Sequence, residues 1–331
     1  MGWFVSLLLF LLIALGTVAG GAIVMLNRAY TDPGPLAETT VVVIPDGASG
    51  QQIMQRLGDS GVVADPRLAR VSLRFLADAR PLRAGEYEFP AGISLQAAIA
   101  KLQDGDTVVR RVTIAEGLTT REALGTLSLA NGLVGMVPEP NDVGEGTLLP
   151  ETYHYSLGDT RAELVARMQA AMDETVARLW DARAEGLPIK SPEEAVVLAS
   201  IIERETAVPS ERPMVASVFV NRLKRGMRLQ SDPTVAYGFS TDEGEFSGRL
   251  LFRHLETDHP YNTYTRDGLP PGPIANPGAE SIAAALNPAA TDYLYFVADG
   301  TGGHAFAKTL AEHNRNVAKW RRIQRERRGA Q

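Results

Sequence analysis

The chain contains no cysteine. This absence excludes a disulfide framework, a thiolate metal site and a cysteine nucleophile. A protein without thiols is compatible with an oxidising compartment, although the absence alone does not place it in one. The stability of the fold, and any chemistry, must therefore come from other side chains.

The sequence also lacks an excess of positive charge. It has 33 Lys and Arg against 39 Asp and Glu, a formal net charge of −6, whereas a nucleic-acid-binding protein normally presents a basic face. The five histidines show neither an HExxH motif nor a paired metal-ligand spacing. No glycine-rich loop has a phosphate-binding form, and Ser200 in LASII does not lie in a nucleophile elbow. We therefore predict no nucleic-acid partner, no metal site and no cofactor.

Charge is missing again near the start of the chain. Residues 3–26 carry no charged side chain, and at ~1.5 Å per residue they span ~36 Å, enough to cross a hydrocarbon core of ~30 Å. A cleaved signal peptide is the alternative, but it would have a shorter apolar region and a basic start. We predict a retained transmembrane anchor at 1–26 and a linker at 27–38. Arg28 follows the apolar run and weakly favours a body inside the cell, but that rule is poor for long domains.

A short pattern occurs three times between residues 39 and 130. It consists of a strand-like run, a glycine, a Ser or Thr two positions later, a small or apolar residue at +6 and a leucine at +10. The glycines are Gly47, Gly92 and Gly117, and the runs are TTVVVI (39–44), GEYEF (85–89) and VVRRVTI (108–114). A strand, a glycine turn, a Ser/Thr N-cap and an amphipathic helix explain these positions. Such modules either serve packing alone, which the pattern favours, or present a groove to a polymer.

Longer helices and a loop-rich region follow after residue 131. The pattern predicts helices from Thr160 to about Glu185, from Ser191 onward and from about Ser210 to Lys224, then a strand at 293–298 and a final helix. Residues 227–278 hold many turn residues together with aromatics, which is typical of a functional loop rather than of disorder. The predicted fold class is α+β, with a mixed helical and strand domain at 131–331.

The stretch LASIIERET places two glutamates two positions apart at the end of an apolar run. On a helical wheel of ~100° per residue, Glu205 falls about 20° from Leu198, in the middle of the apolar face. Glu203 falls about 140° from Leu198, on the face predicted to be polar. A carboxyl among aliphatic groups should have a raised pKa, which suits a general acid at neutral pH. The alternative for Glu205 is a structural ion pair with an arginine.

Hydrolysis of a glycosidic bond with two carboxylates would require a second acid facing Glu205. Asp232, in QSDPT, is the candidate in the loop region, although Asp-Pro also simply starts turns. A single acid would suffice if the nucleophile came from the substrate itself.

Three stretches resemble the MltG/YceG-like family of endolytic murein transglycosylases. They are ASIIERETAVPSERPMVASVFVNRLKRGMRLQSDPTVAYG, PYNTYTRDGLPPGPIANPG and YLYFVADGTGGHAF, and the resemblance extends over residues 39–320. In that family the catalytic acid is the glutamate immediately before the Thr of the ERET-like motif, which corresponds to Glu205. The segment LLPETYHY is similar to the family's FPDTY-like segment, with Glu151 where Asp is usual.

The resemblance implies cleavage of the β-1,4 bond between N-acetylmuramic acid and N-acetylglucosamine within glycan strands, with 1,6-anhydro ends as the product. It implies LysM-like modules at 39–130 that contact glycan, and a catalytic domain at 131–331. It also implies a single-pass anchor in the bacterial inner membrane with the body in the periplasm, which overrides the charge of Arg28. Peptidoglycan strands, and peptidoglycan synthases where new strands emerge, are the implied partners.

The substrate-binding candidates are polar and aromatic residues of the loop region: Gln230, Ser231, Asp232, Tyr261, Asn262 and Tyr264. Each of them is alternatively a residue that only shapes its loop. Two other functions stay open at this stage. One is a muramidase-type hydrolase that uses Glu205 and Asp232, and the other is a membrane-tethered glycan-binding protein without catalytic activity.

Overall fold

The computed structural model describes residues 2–240, 244, 246 and 248–329. The chain forms two compact units. The first ends at Arg110 and also includes His154–Asp159, and the second contains Arg111–Tyr153 and the chain from Thr160 onward. Both units mix helices with small two-stranded sheets, so the predicted α+β class is confirmed.

The first unit follows the predicted strand and helix pattern. Its elements are α1 (Gly2–Thr31), β1 (Thr40–Ile44), α2 (Gly50–Asp59), α3 (Pro66–Phe75), β2 (Gly85–Phe89) and α4 (Leu95–Asp104). Strands β1 and β2 pair antiparallel, with Val42 opposite Tyr87. The core of this unit contains the fully buried side chains of Met54, Leu57, Tyr87 and Leu102.

The glycine turns and N-caps of all three repeated modules have the predicted form. Gly47, Gly92 and Gly117 have φ values of 72°, 66° and 78°, in the left-handed region where glycine pays no Cβ penalty. Two residues later, the hydroxyls of Ser49, Ser94 and Thr119 cap α2, α4 and α5 (Thr120–Ser128) by accepting backbone N–H groups. The third module belongs to the second unit from Arg111 onward.

Helix α1 contains the one segment of the described chain that is long and apolar enough to cross a membrane, Ser6–Thr31. The helix continues five residues beyond the predicted end of the anchor at residue 26, because nothing stops it before Pro33, which cannot continue a helix. Tyr30 and Leu36 are buried in the core of the first unit. The predicted linker at 27–38 is therefore partly helical and partly packed against the first unit.

Strands β3 (Arg110–Thr113) and β4 (Thr152–Tyr155) form a second sheet. The helices of the second unit after α5 are α6 (Pro140–Val143), α7 (Arg161–Asp181), α8 (Pro192–Glu205), α9 (Arg212–Lys224), α10 (Asp232–Gly238), α11 (Phe252–Glu256), α12 (Ala279–Leu286) and α13 (Leu310–Gly329). Between the last two helices, β5 (Tyr295–Ala298) and β6 (His304–Ala307) pair antiparallel.

Helices α8, α9 and α12 form the centre of the second unit. Leu198, Ile202 and Ala199 of α8 are fully buried, together with Val215 of α9 and Ile282 of α12. Each buried aliphatic side chain of this size stabilises the fold by about 1.5–3 kcal/mol. This packing holds the C-terminal end of α8 rigidly, and Glu205 is its last residue.

Candidate active site

The end of helix α8 presents Glu205. The helix begins at Ser191, whose hydroxyl accepts the Glu194 N–H, with Pro192 at the first helical position. Its end is fixed by the next residue, Thr206, which is buried and whose hydroxyl donates to Glu211 Oε2 at 3.3 Å. Glu211 in turn accepts the His304 backbone N–H at 2.8 Å and lies 2.7 Å from His304 Nδ1. Strand β6 thus anchors the residue that follows the carboxyl.

The carboxyl of Glu205 is surrounded by protein while its side chain keeps partial access to solvent. Burial raises the pKa of Glu205 to about 7, because the charged form loses hydration. A hydrogen bond from Ser231 and the charge of Arg222 act in the opposite direction, and the charge of Asp232 adds to the increase. A carboxyl with this pKa can donate a proton and accept one near neutral pH.

The hydroxyl of Ser231 donates to Glu205 Oε1 at 2.5 Å and is the direct polar contact of the carboxyl. In the described part of the chain, the arginine whose charge acts on Glu205 is Arg222, and it donates to the carbonyls of Leu294 and Leu229 rather than pairing with the carboxyl. The structure therefore does not support the alternative in which Glu205 forms a structural ion pair with an arginine. The contact joins residues 26 positions apart, from the end of α8 to the N-cap of α10.

The backbone before α10 is held in an unusual conformation that places Ser231. Gln230 has a φ of 52° and is the one non-glycine residue of the described chain with positive φ. Its N–H donates to Thr263 O at 3.1 Å, and the Ser231 N–H donates to Thr263 Oγ1 at 3.0 Å. Strain of this kind costs about 1–3 kcal/mol and persists where surrounding contacts enforce it. The side chain of Gln230 is exposed, so it is available to a ligand.

Asp232 and Tyr264 form a second contact beside the carboxyl. The Tyr264 hydroxyl donates to Asp232 Oδ1 at 2.6 Å, and Asp232 is exposed at the first position of α10. Tyr261 lies three residues before Tyr264 in the same loop, partly exposed, with its ring centre 4.9 Å from that of Tyr237. The structure therefore places Gln230, Ser231, Asp232 and Tyr264 close to Glu205 or in contact with its neighbours.

Asn262 has a different environment from the other candidates. It is 1% exposed, its amide nitrogen donates to the carbonyls of His254, Leu255 and Thr257, and its amide oxygen accepts the Tyr264 N–H at 2.9 Å. These bonds use the side chain inside its own loop. They favour the loop-shaping alternative that the sequence left open for this residue.

The prediction that Glu203 lies on a solvent-exposed face is wrong. Its side chain is 5% exposed, its Oε1 lies 3.0 Å from Arg212 Nη2, and its Oε2 accepts the Gly278 N–H at 2.9 Å. Arg212 also pairs with Glu116 and Glu280. The helical wheel was misleading because α8 is buried all round from Ala195 to Ile202. Glu203 follows directly and satisfies its charge by pairing, although its neighbour Arg204 is exposed.

Arg222 was not among the predicted site residues. This buried arginine donates to the carbonyls of Leu229 and Leu294, both at 2.7 Å, and so fixes the chain just before Gln230. A signal was present in the sequence: Arg222 lies three and four positions after Phe219 and Val218, on the apolar face of α9. A charged residue on the apolar face of a helix is expected to be buried, and this holds for Arg222 as it does for Glu205.

Comparison with known proteins gives the family. The sequence profile described as the YceG-like family matches residues 42–319. The chain belongs to the YceG-like family. The match includes the modules that follow α1, helix α8 with Glu205, and the loop region with Ser231 and Tyr264.

Several members of known name or structure are similar to this YceG-like chain. A protein of Bacillus subtilis (strain 168) named endolytic murein transglycosylase is 33% identical over 314 residues, which cover 86% of each chain. Proteins of the same name from two Streptococcus pneumoniae strains are 28% identical, and the match covers 84% of this chain but 58% of theirs. The crystal structure of a YceG-like protein from Listeria monocytogenes superimposes with a TM-score of 0.52 at 31% identity, covering 84% of this chain and 98% of the other.

Proposed function

We propose that this chain is a membrane-anchored endolytic murein transglycosylase with Glu205 as its catalytic acid and base. The observation that supports this most strongly is the Glu205 carboxyl itself, with its pKa raised to about 7 at the half-buried end of a helix whose middle is fully buried. The activity is the one named for the relatives from Bacillus subtilis and Streptococcus pneumoniae.

The proposed reaction cleaves the β-1,4 bond between N-acetylmuramic acid and N-acetylglucosamine without water. Glu205 protonates the glycosidic oxygen, the bond from this oxygen to C1 of the muramic acid breaks, and the leaving sugar gains a 4-hydroxyl. The 6-hydroxyl of the same muramic acid then attacks C1 and gives its proton to the Glu205 carboxylate. The product is a 1,6-anhydro end, and the acid is restored in its protonated form.

An intramolecular nucleophile explains why one carboxyl suffices, because the 6-hydroxyl is held next to C1 by the sugar ring itself. Ser231 occupies Glu205 Oε1, so we assign the transferable proton to Oε2. The hydrogen bond from Ser231 also stabilises the carboxylate that forms when the proton is given up.

The sugar contacts that we propose come from the side chains around Ser231. Gln230 and Asp232 are exposed, and Tyr261 and Tyr264 offer partly exposed rings with hydroxyls, a combination of apolar face and polar tip that suits a sugar. We propose that Asn262 contributes indirectly by holding the loop that carries Tyr261 and Tyr264.

The first unit is proposed to contact glycan through LysM-like modules. The support is its order of strand, helix, helix and strand from β1 to β2, with the two strands paired antiparallel. Helix α1 is proposed to be a retained anchor in the bacterial inner membrane, with both units in the periplasm, and a cleaved signal sequence is the alternative. In this location the enzyme would terminate the elongation of nascent strands beside peptidoglycan synthases.

A muramidase-type hydrolase is the second candidate function, because the charge of Asp232 acts on Glu205 and the two acids are therefore neighbours. Product analysis separates the candidates. Purified protein is incubated with isolated murein and the fragments are analysed by mass spectrometry. Transglycosylase activity gives 1,6-anhydro ends, and a hydrolase gives reducing ends heavier by one water. A protein that only binds glycan gives no fragments.

A further inference from the structure

A polar cavity of about 600 Å³ lies in the second unit, apart from the carboxyl of Glu205. Residues of α5, α6 and α10 line it, together with the loop that contains His259 and Tyr261. Its size is that of a small-molecule site. The proton transfer proposed for Glu205 does not account for it, although Tyr261, one of the proposed sugar contacts, lines it.

Glu145 is the acidic side chain of this cavity. Its Oε1 accepts the Thr120 N–H at 2.8 Å and the Thr120 hydroxyl at 3.0 Å, at the start of α5. Its Oε2 accepts the Tyr237 hydroxyl at 3.3 Å, which is long for a bond between oxygens. Asn276 Nδ2 also donates to Oε1, at 3.4 Å, and the Gly146 N–H hydrogen-bonds the carboxyl. A ligand donor would therefore bind Oε2 in place of the long Tyr237 contact, which leaves the Tyr237 hydroxyl able to donate to the ligand as well.

The cavity and the Glu205 site lie at opposite ends of the same two segments. Ser231, the N-cap of helix α10, contacts Glu205, and Tyr237 near the end of the helix lies about 9 Å further along the helix axis. The loop 261–264 runs beside the helix in the opposite direction. Tyr264 bonds Asp232 at the Glu205 end, and the Tyr261 ring meets that of Tyr237 at the cavity end. A glycan strand lying along α10 and the loop 261–264 would reach both sites.

We propose that this cavity is a second saccharide subsite, in which Glu145 and Tyr237 hydrogen-bond the hydroxyl or acetamido groups of a neutral sugar and the ring of Tyr261 contacts its face. The inference rests on the proposed function, because the sugar belongs to the strand that Glu205 cleaves. A carboxylate oxygen accepts O–H and N–H donors, so the subsite favours an N-acetylglucosamine-type unit over an anionic group. Burial raises the pKa of Glu145, and an occupied subsite would supply donors that compensate for this lost hydration.

The test compares substrates of different length. Cleavage rates are measured on long glycan strands and on short oligosaccharides, both freed of their stem peptides. The wild-type protein should prefer long strands. In the Glu145→Gln protein the ratio of kcat/KM on long strands to kcat/KM on short ones should fall about tenfold. The change should come from a higher KM on long strands with kcat retained, because the substrate loses a hydrogen bond to a charged group. Tyr237→Phe keeps the ring and should lose a smaller part of the preference.

Glu139→Gln is the matched control, because it is the same Glu-to-Gln substitution at an exposed position just before α6. The side chain of Glu139 makes no N-cap hydrogen bond. The Glu139→Gln protein should keep the wild-type preference. An equal loss on long and short substrates, or no loss with Glu145→Gln, overturns the subsite. Strands that keep their stem peptides are assayed in parallel, and an effect of Glu145→Gln seen only with them overturns the subsite as well, because Arg121 at the cavity would then bind an acidic stem peptide.

A binding measurement keeps this test separate from the proposed function. Peptide-free glycan fragments are titrated into the Glu205→Gln protein, with and without Glu145→Gln, by calorimetry. About tenfold weaker binding in the double variant supports the subsite even if the wild-type protein proves unable to cleave. Equal binding in both overturns the subsite and leaves the cleavage mechanism standing.

Discussion

The ionisation of a single carboxyl, that of Glu205, connects chemistry with stability. Its pKa is about 7 in the folded chain against an ordinary value of 4.5. Between these two values the folded state binds a proton that the unfolded state has released, so the free energy of unfolding falls as pH rises through this window. At 1.36 kcal/mol per pKa unit, the full cost above pH 7 is roughly 3 kcal/mol.

Glu205→Gln should therefore stabilise the protein at alkaline pH. The amide cannot ionise, and it still accepts the hydrogen bond from Ser231. We expect the variant to melt above the wild type at pH 8 and to lose this advantage as the pH falls toward 4.5. Thermal melts from pH 4.5 to 8.5 measure the difference. A constant offset between the two proteins over that range would show that Glu205 does not titrate near 7.

Asn262→Ala should lower the melting temperature. The substitution removes the partner of three carbonyls and of the Tyr264 N–H. Thr257 is exposed and His254, Leu255 and Tyr264 are half-buried, so a group that water reaches loses little, whereas each group that water does not reach costs about 1–3 kcal/mol. Gln230→Ala is the comparison variant. Removing the exposed Gln230 side chain should slow the cleavage of murein with little change in melting temperature. If Asn262→Ala melts like the wild type but cleaves slowly, Asn262 contacts substrate directly.

At the scale of elements, the end of α8 depends on the ion pairs around Arg212. Glu203 is the most buried acid of that group, with a side chain 5% exposed, whereas Glu116 and Glu280 are 42% and 69% exposed. An exposed ion pair contributes little to stability, while a buried one is costly to break. Glu203 should therefore dominate the energetics of the group.

Glu203→Gln is predicted to lower the free energy of unfolding by about 1–3 kcal/mol, measured by denaturant titration. The pH dependence of cleavage should keep its wild-type midpoint, because Glu205 still titrates. The control for position is Glu193→Gln, on an exposed site in the first turn of the same helix. It should leave the midpoint unchanged and lower the free energy of unfolding less than Glu203→Gln does, because it breaks no buried ion pair. A shifted midpoint in Glu203→Gln would mean that this acid takes part in proton transfer.

The elements that the sequence predicted correctly are those with a local cause. Glycine turns and the Ser/Thr N-caps Ser49, Ser94 and Thr119 correctly predicted the repeated modules. The helical spacing of apolar residues and the N-cap signals correctly predicted α7, α8 and α9. Helix α10 was missed, because seven residues give little period and Asp-Pro starts turns as well as helices. The contact of Ser231 with Glu205 depends on tertiary packing, and no local pattern reveals it.

A helical wheel separates the more apolar face of a helix from the more polar one, but it does not predict which face is exposed to solvent. Glu205 and Arg222 both stand on apolar faces, and the same argument identifies both. Glu203 stands on the opposite face of α8, which would be wet only if nothing packed there. The Gly278 N–H and Arg212 lie there instead.

At the scale of the whole molecule, we expect the membrane segment to be separable from the folded body at a defined residue. A chain beginning at Asn27 retains Tyr30 and Leu36, whose side chains belong to the core of the first unit. It should be soluble, folded and able to cleave isolated murein. A chain beginning at Thr39 loses both side chains, and each buried one contributes about 2 kcal/mol, so its melting temperature should be clearly lower.

Calorimetry of both shortened proteins measures this difference directly. Equal melting temperatures would show that residues 27–38 are a linker without a structural role. Aggregation of the protein that begins at Asn27, even at low concentration, would show that the apolar segment itself packs against the first unit.

The central claim is that Glu205 transfers the proton in the cleavage of murein. The direct measurement is the rate at which Glu205→Gln forms 1,6-anhydro ends, compared with the wild type and with Glu193→Gln, all three shown to be folded by thermal melting. Loss of a general acid typically costs ~10² to 10⁴ in rate. We predict such a loss for Glu205→Gln and a wild-type rate for Glu193→Gln. A folded Glu205→Gln protein that produces anhydro ends at the wild-type rate would contradict the mechanism.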